Sequence, residues 1–158
     1  MTGAAAPHWE KHHFFLSSVS TSLATALSVS KTPVPFTAMA GDLKGNVPMF
    51  SWITPDMCHD QHDCSVSVGD DWLRQTVGMI TQSKAWTANG LLFIVWDEDD
   101  GSTQNRVLSL VISPNQSHKV TTQAYTHYSL LATIEDTLGV GRLGQAVGAR
   151  AMQDLLGH

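Results

Sequence analysis

A single α/β domain, built on a mostly parallel sheet flanked by helices, is the fold that this 158-residue sequence predicts. Three observations carry the expectation. The run "LLFIVW", residues 91–96, is apolar at every position, which suits a strand covered on both faces. The order strand, helix, strand over residues 49–96 reads as a βαβ unit, whose right-handed crossover makes its two strands parallel. A length of 158 residues, with 42% hydrophobic and 15% charged residues, is ordinary for one globular domain over 1–158.

The elements follow in order. Over residues 12–27, Phe15, Val19, Leu23 and Leu27 recur at i, i+4 spacing, the pattern of one helical face, although the many Ser and Thr residues weaken helix propensity. Pro and Gly residues between Ser28 and Pro48 mark a connecting segment. "MFSWI", residues 49–53, is a short strand ended by Thr54 and Pro55. Asp70 is the expected N-cap of a helix whose stripe of Trp72, Leu73, Val77 and Ile80 runs to about Ser83. After the strand at 91–96, "VLSLVI" (107–112) is a further strand stopped by Ser113 and Pro114. Thr126 caps a helix presenting Leu130, Leu131, Ile134 and Leu138, and Gly139 ends it. An amphipathic segment from about Leu143 to Leu156 closes the chain.

Charge and composition exclude several functions. A formal net charge of −5, with nine scattered Lys and Arg, leaves no basic footprint for nucleic acid. No apolar stretch approaches the ~20 residues of a membrane span, and the first residues carry neither a basic nor an apolar targeting region. Neither a transmembrane segment nor an export signal is therefore expected. Cys58 and Cys64 in "DMCHDQHDC" are close enough to form a small disulfide loop or to remain two thiols. A zinc knuckle from Cys58, His59, His62 and Cys64 is disfavoured, because zinc fingers separate their ligand pairs by a longer loop.

In a parallel crossover, the loops leaving the carboxyl ends of both strands share one edge of the sheet, where ligands bind. One loop carries Asp56, His59, Asp60, His62 and Asp63; the other carries Asp97, Glu98, Asp99 and Asp100. Imidazoles mixed with carboxylates suit zinc, manganese or iron, whereas carboxylates alone suit calcium or magnesium. An EF-hand is excluded at the acidic run, since with Gly101 at the sixth loop position the first is Trp96 rather than an opening Asp, and no Glu stands at the twelfth. Bland roles compete at most positions. Asp56 reads as a turn residue after Pro55, Asp60 and Asp63 as solvated loop charges, and Asp99 and Asp100 as turn acids. Asp97 and Glu98 differ because they directly follow a buried strand, whose rigid backbone aims their side chains. His127, at a helix start, reads first as a cap or surface residue. G-x-S-x-G and Walker A motifs are both absent from the sequence.

Three stretches, "SWITPDMCHDQHDCSVSVGDDWL", "LLFIVWDEDDG" and "THYSLLATIEDTLGVGRLG", resemble, in order and approximate spacing, the phosphoesterase family that contains bacterial phospholipases C and secreted acid phosphatases. That family belongs to the alkaline-phosphatase-like superfamily. The likeness runs from about Lys11 to the C-terminus, with "KHHFF" as a fainter early match. It implies hydrolysis of phosphate esters, phospholipids among them, by attack of a Ser or Thr hydroxyl on phosphorus with a divalent metal ion as cofactor. Asp97 and Glu98 match the family's acidic metal pair. His62 and His127 match histidines expected near the phosphate, with His59 as a less regular companion. Relatives are largely exported.

The sequence also departs from the family pattern. The family's Glu-Asn metal pair and its Ser or Thr nucleophile belong to an N-terminal half that is not visible here. The resemblance therefore implies a C-terminal portion, an incomplete version of the alkaline-phosphatase-like fold, partnered by a missing N-terminal half. A non-catalytic remnant, or a metal- or anion-binding module, is the alternative.

Overall fold

The computed structural model describes residues 12–18, 34–45, 47–87, 89–99, 101, 104–114 and 118–156. Four strands, β1 (His12–Ser18), β2 (Phe50–Ile53), β3 (Gly90–Trp96) and β4 (Ser109–Ile112), form one sheet in the order β2-β1-β3-β4. The helices are α1 (Met39–Asp42), α2 (Val66–Thr81), α3 (Lys84–Thr87) and α4 (His127–Leu138). Among the described residues, no helix is long and apolar enough to cross a membrane.

Strand β3 accounts for the layering. Successive side chains of a strand point to opposite faces. Leu92 and Ile94 accordingly pack with Leu43, Ile53, Ile80 and Trp86 on the α2 side. Leu91, Phe93 and Val95 pack with Leu130, Ile134, Met152 and Leu156 on the α4 side. An uninterrupted apolar run is thus the chemistry of a strand between two helical layers. Burying each such side chain contributes about 1.5–3 kcal/mol relative to exposure. The class is mixed α/β.

The sheet itself corrects the expectation of mostly parallel strands. All three described pairings are antiparallel: β1 with β2, β1 with β3, and β3 with β4. Strands β2 and β3 do point the same way, but β1 lies between them, with Phe14 aligned to both Ile53 and Ile94. Inserting one antiparallel strand gives both neighbours ladders whose hydrogen bonds lie perpendicular to the strands, the slightly more stable arrangement. The helix expected over 12–27 is corrected in the same way. His12–Ser18 is strand β1, and the remainder of that segment lies outside the described residues. The ladder to β3 extends over the whole of β1, from the His12–Trp96 pair to the Ser18–Gly90 pair, and this long-range pairing outweighs a weak local helix propensity.

The two long helices differ in how well their starts were anticipated. The N-cap of α2 is Ser65, in extended conformation, rather than Asp70. Asp70 instead lies inside the helix and pairs with Arg74 one turn on at 2.6 Å. Helix α4 starts and stops as expected. The Thr126 side chain accepts the Ser129 N–H, the Ser129 side chain returns the bond to the Thr126 N–H, and Gly139 turns left-handed with φ 67°. Such a cap contributes about 1 kcal/mol. The amphipathic end of the chain forms two short 3-10 turns, Gly144–Gly148 and Gln153–Leu155. It is strapped to α4 by the Met152 N–H donating to Thr133 Oγ1 at 2.7 Å and by Arg142 clasping Asp136.

Candidate active site

Because β2 and β3 run in the same direction, the segments after Ile53 and after Trp96 leave the same edge of the sheet. One strand separates them, so the two exits are about 10 Å apart at the usual strand spacing. The start of α4 arrives at that edge as well. His127, the first residue of α4, has its Nε2 2.9 Å from the carbonyl oxygen of Asp97, across 30 positions of sequence. A carbonyl only accepts, so Nε2 is the protonated nitrogen and donates this bond. The contact joins the acidic run to the helix start directly. His62 lies on the other loop, nine residues after the last residue of β2.

That loop is tied at many points. Cys58 and Cys64 form a disulfide with Cα atoms 4.7 Å apart, which removes both sulfurs from any zinc knuckle and resolves the two readings left open by the sequence. Asp56 Oδ1 accepts the Cys58 and His59 N–H groups, both at 3.0 Å, and so shapes the turn. The backbone bond from His59 chiefly holds the Asp56 carboxyl below its ordinary range, with desolvation opposing it. The His59 imidazole adds a 2.8 Å contact from Nδ1 to the same oxygen. Asp60 corrects an expectation. It is no solvated charge but only 3% exposed, with Oδ1 accepting the His62 N–H at 2.8 Å. Asp63 is exposed, and its Oδ1 lies 2.7 Å from His62 Nδ1.

The loop is seated on α2 at Gly69. A Cβ there would lie 2.4 Å from Gln61 Cγ and 2.9 Å from the His59 carbonyl oxygen. Gly69→Ala is therefore expected to destabilise the protein despite improving helix propensity. Overpacking costs about 1–3 kcal/mol, against the roughly 1 kcal/mol that alanine gains over glycine in a helix. Urea melts together with the His59 and His62 ring resonances check this. Unchanged stability with unmoved rings would show that the loop does not rest on Gly69.

At the other exit, Asp99 Oδ1 accepts the Gly101 N–H at 3.0 Å, the hydrogen bond of a turn acid. Asp100 lies outside the described residues. Asp97 is half-buried and Glu98 exposed. Their carboxylate oxygens suit a hard divalent cation, but such ions take six or more oxygen ligands. Among the described residues no three His, Cys, Asp or Glu side chains are grouped to hold a metal. The two carboxylates alone are too few for such a coordination sphere. The sequence reading missed the burial of Asp60 and the two carboxylate–imidazole pairs. The available signals were the D-x-x-H spacing of Asp56 and His59 and the adjacent His62-Asp63.

The phosphoesterase family profile matches residues 8–141. The chain is 31% identical over 125 residues to a phosphatidylinositol-3-phosphatase of Mycobacterium tuberculosis, covering 78% of this chain and 42% of that protein. It is 31% identical over 116 residues to a phosphate-repressible acid phosphatase of Penicillium chrysogenum, covering 70% of this chain and 28% of that one. An acid phosphatase of Aspergillus fumigatus is 28% identical over 116 residues, with 70% and 26% covered. The chain thus spans less than half the length of each of these relatives. No solved structure matches it. A family match over residues 8–141, most of the chain, places this protein in the phosphoesterase family.

Proposed function

We propose that this chain forms the C-terminal part of the metal and phosphate site of an alkaline-phosphatase-like enzyme that hydrolyses phosphate esters. The observation that carries the reading is the bond from His127 to the Asp97 carbonyl oxygen, which sets the anion-favouring start of α4 beside the backbone of the acidic run. A phosphate at the start of α4 would be repelled by Asp97 and Glu98 unless a cation lay between them. Those two residues would hold that cation. When bound, it would neutralise phosphoryl charge and lower the pKa of an attacking hydroxyl. When protonated, His62 and His59 would donate from Nε2, and His127 from Nδ1, to phosphoryl oxygens, or pass that proton to the leaving group. The relatives' names favour phosphomonoesters, including lipid head-group phosphates, over phospholipase C-type diesters.

An attacking Ser or Thr is not identified in this chain, so its partner in turnover would be an N-terminal half of the family type. The chain alone is expected to give no more than trace turnover of a chromogenic monoester or a choline-phosphate diester with added divalent metals. Any trace should vanish in Asp97→Ala and persist in Asp99→Ala. Robust turnover abolished by a single Ser or Thr substitution in this chain would overturn the partial-site reading. Metal or phosphate binding with no turnover in any longer form would favour a non-catalytic binding module, a reading that a two-carboxylate donor set also supports.

A further inference from the structure

His59 and His62 sit inside one disulfide-closed loop, and each has its Nδ1 against a carboxylate. The distances are 2.8 Å from His59 Nδ1 to Asp56 Oδ1 and 2.7 Å from His62 Nδ1 to Asp63 Oδ1. We propose that Asp56 and Asp63 are positioning residues that hold the protons of His59 and His62 on Nδ1 and direct both Nε2 atoms to the phosphate site. This rests on the phosphate-site reading above.

The argument is one of donors and acceptors. A carboxylate oxygen only accepts, so the facing Nδ1 must carry hydrogen, and the lone pair of each neutral ring then belongs to Nε2. Asp56 is suited to the task because the Cys58 and His59 N–H groups already orient the same oxygen, and its carboxyl stays ionised well into acid. The backbone of His62 is fixed independently by the buried Asp60, whose Oδ1 accepts its N–H, and by the Cys58–Cys64 bridge. A ring with an anchored backbone and one committed nitrogen has little freedom left. The same device orients histidines that meet metals or serve as bases in enzymes, where a carboxylate on one ring nitrogen sets the chemistry of the other. His127 has the opposite proton placement, since it donates from Nε2 to the Asp97 carbonyl.

Long-range proton–nitrogen NMR of the oxidised protein, without metal or phosphate, reads each ring's tautomer directly. The expected result is Nδ1–H for neutral His59 and His62. Asp63→Ala should lower the Nδ1–H to Nε2–H ratio of His62 roughly fivefold, the worth of one ordinary hydrogen bond. Asp63→Asn, whose amide oxygen still accepts, should restore it. Asp56→Asn tests His59 while keeping the turn. Nε2–H rings in the native protein, or a His62 ratio unchanged in Asp63→Ala, would overturn the inference. Adding inorganic phosphate with manganese or magnesium then tests the underlying reading separately. If the tautomers behave as expected and the Nε2 signals ignore phosphate, the carboxylates do set the rings and the phosphate assignment is what fails.

Discussion

Phe93→Ala is expected to cost about 3–5 kcal/mol, the usual penalty for emptying a buried phenylalanine site. Phe93 is 0% exposed, at the middle of β3, and packs with Leu130, Ile134, Met152 and Leu156. Truncation leaves a cavity between the sheet and α4, the two elements whose contact places His127 against Asp97. Since small domains retain only about 5–15 kcal/mol in total, a large fraction of the stability goes with this side chain. The measurement is the urea midpoint, with an unchanged slope indicating a true stability loss. Leu110→Ala on β4, a position 44% exposed, is the control and should stay within about 0.5 kcal/mol. Equal effects at the two positions would mean that β3 is not held between two layers.

Reduction of the Cys58–Cys64 bridge is expected to cost about 2 kcal/mol, the chain-entropy value for so short a loop. The loss should be local in its visible effects. Hydrogen exchange at His59 and His62, whose N–H groups bond to Asp56 and Asp60, should accelerate on reduction while β3 stays protected. Thiol counting before and after reduction establishes the state measured. If a Cys58→Ala, Cys64→Ala double variant matches the oxidised protein in both midpoint and exchange, the bridge does not hold the histidine loop.

The parts legible in the sequence are those whose signal is local and unopposed. An apolar run at 91–96 has few uses other than a strand covered twice, and Thr126 with Gly139 brackets α4 by capping chemistry alone. Strand β1 was not legible, because Phe and Val at i, i+4 among Ser and Thr fit a helix locally. Its actual partners are the backbones of 50–53 and 90–96. The parallel sheet followed correctly from the crossover and failed for the same reason, since a strand from earlier in the chain entered between its two halves. At the site, residue types pointed to the loops that follow β2 and β3, and the His127 contact with Asp97 shows α4 starting beside the second of them. Burial did not follow from them: Asp60 reads as a loop charge, yet inside the disulfide-closed loop it is buried.

A manganese titration followed by paramagnetic broadening of amide and histidine signals tests most directly whether the loop of His62, the acids after β3 and the start of α4 share one site. Weak binding suffices for this readout. The account predicts broadening centred on Asp97 and Glu98 that extends to His127 and to the His59–His62 loop, and that is lost in Asp97→Ala but kept in Asp99→Ala. Broadening centred instead on surface acids such as Asp70 and Asp71, or affected equally by the two substitutions, would contradict it and leave the acidic run after β3 as a solvated turn.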